Sequence, residues 1–154
     1  MRTRIEARAV VYDQEQDRIL LVRNRGADYW YIPGGGWEFE SENILECAKR
    51  EVKEETGLDV MIGKFLYLQE FHPSEDLVYF ESFWLAKVVG SDVLDRDHVD
   101  TDPDGAVGEA RWFTRQELSG IALYPERFKT TFWENIADII GDEDRFIGVR
   151  SKET

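Results

Sequence analysis

The chain has one cysteine, two histidines and no apolar run that approaches membrane-spanning length. Cys47 has no second thiol to pair with, so an internal disulfide is excluded and a reducing, cytoplasmic location is the expectation. The opening residues, MRTRIEARAVVYD, lack the apolar core of a signal peptide. His72 and His98 are isolated loop residues and read as solvated side chains. Bases are scarce as well: 19 Lys and Arg stand against 32 Asp and Glu, a net charge of −13 that excludes a nucleic-acid-coating surface. Repeats, low-complexity tracts and linkers are absent, so residues 1–154 read as one domain. What is present suits a packed core: 42% hydrophobic residues and 13% aromatics rule out a disordered chain.

Alternation predicts a strand over Thr3–Tyr12, a polar turn at 13–17, and a returning hairpin strand over Arg18–Asn24. Tyr29–Ile32 is a short aromatic strand that stops at Pro33 and three glycines. Asn43 with Glu46 forms a capping box that opens a helix near Ile44, and Gly57 suits its left-handed end. Two long strands follow, Asp59–Phe71 and Leu77–Val89. A long acidic loop, Gly90–Gly105, precedes a last short strand, Ala106–Phe113. Thr114 with Glu117 is a second capping signature. Pro125 opens a closing amphipathic helix through about Ile140, with Phe128, Thr131, Phe132, Asn135, Ile136 and Ile139 on one face. Strands interleaved with two helices give an α/β sandwich around a mixed β-sheet.

The first helix carries the chemistry. At 100° per residue Glu51, Glu54 and Glu55 fall within an arc of about 100°, and they continue the line of Ile44 and Ala48. The opposite side already holds Glu46, Lys49 and Lys53, so the three carboxylates lie where the helix should bury a seam. Carboxylates about 6 Å apart repel by roughly 3 kcal/mol at an effective dielectric near 20. Such a group must take up protons, pair with bases or hold a cation. Several oxygens without a nearby histidine or thiolate suit Mg²⁺ or Mn²⁺ better than zinc. Arg50 is placed to steady the cluster, with Glu54 at its i+4 position. The glycine loop beside it can approach an ion or phosphate closely.

These residues resemble the Nudix box, G-x5-E-x7-R-E-U-x-E-E-x-G-U with U a bulky aliphatic. Gly36, Glu42, Arg50-Glu51-Val52, Glu54-Glu55 and Gly57-Leu58 match it with every spacing kept. One feature departs: from Pro33 to Glu42 the chain is a residue longer than the common P-G-G-x-x-E-x-G-E, with Ser41 in place of the usual glycine. Gly35 and Gly36 are both therefore candidates for the backbone carbonyl that relatives offer to the metal. The resemblance implies the Nudix α/β/α sandwich, with the box as a loop–helix–loop. It also implies Mg²⁺- or Mn²⁺-dependent hydrolysis of the pyrophosphate link in a nucleoside diphosphate joined to a further group.

By the same resemblance Glu51 and Glu55 are the leading metal ligands and Glu54 joins them, while Arg50 and Glu42 pair to orient the carboxylates. The general base lies within the box in some relatives and is a late-loop Glu in others, for which Glu109 is the candidate here. Arg23 and Arg25, Trp37 and Glu42 complete the substrate-side set: arginines for phosphates, an aromatic for a nucleobase. Trp30, Trp84, Trp112 and Phe113 read as core. Pro73, fifteen residues after Leu58, resembles the downstream mark of ADP-ribose pyrophosphatases. ADP-ribose or a nucleotide sugar is the favoured substrate, ahead of a canonical or oxidised nucleoside triphosphate and a dinucleoside polyphosphate. A nucleotide-sensing domain that does not cleave is the other class. No nucleic-acid or membrane partner is expected, and dimers are common among relatives.

Overall fold

In the computed structural model, which describes residues 1–152, strand β1 (Arg2–Asp13) is the hinge of the architecture. The final two residues of the expected domain lie outside the described residues. β1 runs parallel to β6 (Leu77–Val88) from Arg2↔Leu77 to Val11↔Ala86. It pairs with β2 (Arg18–Asn24) only at Tyr12↔Ile19 and Asp13↔Arg18. The anticipated hairpin therefore exists at its turn alone. β5 (Val60–Ser74) pairs antiparallel with β6, β7 (Val107–Thr114) with β2, and β3 (Tyr29–Tyr31) runs parallel to β8 (Ala122–Tyr124). The result is one curled, mixed eight-stranded sheet.

The glycines form β4 (Gly34–Gly36), a short strand antiparallel to β1, where sequence alone suggests a loop. A Cβ at Gly34 would stand 2.4 Å from the Ala7 carbonyl oxygen, so only glycine lets the two backbones lie this close. Helix α1 (Ile44–Thr56) then packs across β1. Cys47, Ala48 and Val52 bury against Ala7, Ala9, Val11 and Trp84, and the small alanines let the helix sit low on the sheet.

The other face of the sheet is covered by α2 (Thr131–Gly141), whose Phe132, Trp133 and Ile136 join Val10, Leu21, Trp30, Phe83 and Phe113. The closing helix starts later than the sequence suggests. Residues Glu126–Lys129 make a 3-10 turn, and Thr130, at φ −130° and ψ −94°, separates it from α2. Phe128 still faces the core, whereas Asn135 is exposed and Trp133 takes its share of the buried face. The ammonium of Lys64 on β5 meets the last carbonyls of α2, at 3.0 Å from Ile139 O and 2.7 Å from Ile140 O. Among the described residues no helix is long and apolar enough to cross a membrane.

Candidate active site

The register of α1 is fixed at both ends. Asn43 Oδ1 accepts from Glu46 N–H at 2.9 Å, and Asn43 N–H donates to the Glu46 carboxylate at 2.9 Å. Gly57 closes the helix at φ +79°. That register turns Glu51 and Glu55 inward, each only 6% exposed, and leaves Glu54 half-buried. Gly35 lies directly beneath Glu51: a Cβ there would be 2.6 Å from the carboxyl carbon. Glu55 Oε1 accepts from the Gly34 N–H at 2.8 Å. The glycine strand thus backs two of the three carboxylates.

Arg50 binds the group together as its spacing suggests. Its guanidinium grips Glu42 in a bidentate pair at 3.0 and 2.8 Å, and also reaches Glu51 Oε1 at 2.9 Å and Glu54 at 3.2 Å. Nη2 donates to the Gly36 carbonyl at 3.0 Å as well. Glu42 also accepts from the Glu38 N–H, so it fastens the box loop to the helix.

A fourth carboxylate arrives from the acidic loop. One oxygen each from Glu51, Glu54 and Asp102 lie within 4.8 Å of one another. The loop is tied to a carbonyl in the last turn of α1: Thr101 N–H donates to Glu54 O at 3.1 Å, and His98 Nε2 lies 2.8 Å from the same oxygen. Asp100 Oδ1 accepts from the Asp102 N–H at 3.0 Å and shapes the turn. Asp102 escapes sequence reasoning because only this tertiary contact distinguishes it among the acids of DRDHVDTDPD.

Burial pushes the Glu51 carboxyl up to about 7, Glu54 and Asp102 add to the rise, and Arg50 opposes it. Burial also lifts Glu55 well above the usual carboxylate range, with Glu51 adding to the rise against the pull of Arg8. Glu54 is raised too, again chiefly by burial. Arg8 was not anticipated. It extends from β1, held by Glu81 and Glu6 at 2.6 Å each and donating to Ile32 O at 2.9 Å. An all-oxygen donor set, buried and short of compensating positive charge, fits a hard divalent cation.

The remaining sequence candidates fall into other settings. Glu109 on β7 accepts from Arg23 at 2.5 Å and Arg111 at 2.7 Å, and both guanidiniums lie over the Trp30 ring. Burial raises its carboxyl, but the two arginines outweigh that and hold it below the ordinary value. Glu109 shares a cavity of about 540 Å³ with Glu55, Arg96, His98 and Arg111. Arg25 spends its guanidinium on the carbonyls of Gly105 and Val107, at 2.8 and 3.2 Å, and anchors the far end of the acidic loop. Trp37 donates its indole N–H to Glu42 O at 2.9 Å and packs against the core beneath α1. His72 is exposed and pairs with Glu70.

A family model described as the NUDIX domain matches residues 2–133. Among curated proteins, the human 8-oxo-dGDP phosphatase NUDT18 is 32% identical over 113 residues, covering 70% of this chain and 32% of that protein. The chain spans about a third of the length of the curated relatives it first matches. Among solved structures, a NUDIX hydrolase from Nitrosomonas europaea superposes with a TM-score of 0.67 at 22% identity, over 94% of this chain and all of that one. An ADP-ribose pyrophosphatase from Streptococcus suis superposes with a TM-score of 0.62 at 19% identity, over 96% of each chain. At these identities the superpositions show the sandwich fold.

Proposed function

This chain belongs to the NUDIX family, and from that footing we propose that it is a divalent-cation-dependent hydrolase of the pyrophosphate link in a nucleoside diphosphate joined to a further group. ADP-ribose or a nucleotide sugar is the favoured substrate. The observation that supports this reading most is the pair of buried carboxylates, Glu51 and Glu55, seated on a glycine strand with Glu54 and Asp102 beside them.

In this proposal Glu51, Glu55 and Glu54, with Asp102 and a carbonyl of Gly35 or Gly36, hold Mg²⁺ or Mn²⁺. The bound cation supplies neutralisation of phosphate oxygens and a water of lowered pKa. Arg50 keeps the carboxylates in place through its contacts to Glu42, Glu51, Glu54 and Gly36. Glu54 is the most accessible of the three helix acids and the first choice to take the proton of an attacking water. Glu109, from the neighbouring cavity, is the second. The human relative named as an 8-oxo-dGDP phosphatase supports an oxidised nucleotide as the second reading of the substrate.

A phosphate-release screen over ADP-ribose, nucleotide sugars and canonical and oxidised nucleotides, with Mg²⁺, tests the proposal. Cleavage that falls by about two to three orders of magnitude in Glu55→Gln is expected. Tight binding with no turnover by the wild type would make the domain a sensor instead.

A further inference from the structure

Three tyrosines occupy one end of the sheet beside the carboxylates, and none has a part in the reading above. The parallel β3–β8 pairing sets Tyr31 opposite Tyr124 and Tyr29 opposite Ala122. Alternation sends Trp30 into the core at 3% exposure and turns Tyr29 and Tyr31 to the other face. Their rings pack on one another: Tyr29 lies 5.9 Å from Tyr124 at a steep angle and 6.3 Å from Tyr31. β8 ends the strand path, and Tyr29 and Tyr124 remain 39% and 55% exposed. Rings braced by their neighbours yet open to solvent have little freedom left to lose when a flat ligand stacks on them.

The group is continuous with the carboxylates. Gly34, whose N–H holds Glu55, follows Tyr31 by only three residues. Arg8 lies over the Tyr31 ring at 5.6 Å. The Tyr31 hydroxyl donates to Asn24 Oδ1 at 2.5 Å, which leaves the Asn24 amide N–H groups as donors. Burial, with the Glu55 carboxyl nearby, keeps the phenol protonated far above neutral pH. In a chain of net charge −13 the base, like the sugar, can be gripped without neutralising charge, and of the two only the base offers a flat face for an aromatic ring.

We propose that Tyr29 and Tyr124, braced by Tyr31, form the stacking platform for the substrate's nucleobase, with Asn24 donating to its edge. The proposal deepens the hydrolase reading and rests on it for the position of the phosphates. The test uses 2-aminopurine riboside 5′-monophosphate, whose fluorescence falls on stacking, titrated with the full chain in Mg²⁺. Wild type should quench it, Tyr124→Ala should lose the quench and bind roughly ten-fold more weakly, and Tyr124→Trp should restore both. Competition by ribose 5-phosphate should be the same in wild type and Tyr124→Ala. Binding without quench, a quench unchanged by Tyr124→Ala, or no binding at all overturns the platform. If the substrate screen shows cleavage in those circumstances, the hydrolase reading stands without it. A quench that depends on Tyr124 in a chain that cleaves nothing would leave the platform and remove the hydrolase.

Discussion

Glu51, Glu54 and Glu55 share one helix yet meet three environments. Glu51 sits on Gly35 beside Arg50, Glu54 is half open, and Glu55 is bound by the backbone of Gly34. The glycines separate stability from function at this scale. A Cβ at Gly35 meets the end of a flexible side chain, the Glu51 carboxyl, whereas one at Gly34 meets the backbone of Ala7 and Arg8. Gly35→Ala should therefore lower kcat by about a hundredfold with a loss of stability under about 1 kcal/mol. Gly34→Ala should cost about 1–3 kcal/mol in chemical denaturation. Equal effects of the two on stability would contradict this division. Cys47 is the inert member of the site. Burial pushes its thiol from 9.0 up to about 12, and its sulfur lies 3.6 and 3.5 Å from the Gly35 and Gly36 carbonyls. The thiol stays protonated at pH 8 and is buried, so iodoacetamide should label the folded chain far more slowly than the unfolded one. Fast labelling of the native chain would show that α1 does not stay seated on the glycine strand.

Among the elements, α1 was legible because its signals are local. The capping box, Gly57 and the apolar-then-acidic line all lie within one run of sequence, and each appears where it was expected. Pairings between distant segments were not legible. Nothing in Thr3–Tyr12 announces that β1 runs beside β6 rather than β2, because a two-residue period names a face and not a partner. Asp102 was hidden for the same reason: its loop read as long and acidic, but the ties from Thr101 and His98 to Glu54 O exist only in the folded chain. That loop's contribution can be measured alone. Asp102→Asn should weaken Mn²⁺ binding by about ten-fold while leaving the melting temperature nearly unchanged. Unaltered Mn²⁺ affinity would mean that Asp102 stands near the cluster without serving it.

For the whole molecule, the charge and the architecture make opposite demands. A net −13 repels a polyphosphate at a distance, and the sheet nevertheless concentrates four carboxylates at one end of α1. Arg50, Arg8, Arg23 and Arg111 are each committed to a carboxylate, so these four have little charge left for phosphates, and a bound cation would supply it. The proposed hydrolysis therefore depends on divalent-ion binding by α1. The most direct test is a Mn²⁺ titration followed by electron paramagnetic resonance, with circular dichroism confirming the fold. Wild type should deplete free Mn²⁺, and Glu51→Gln should bind it about a hundredfold more weakly. Mn²⁺ binding of equal strength in the two, or none in wild type, would contradict it.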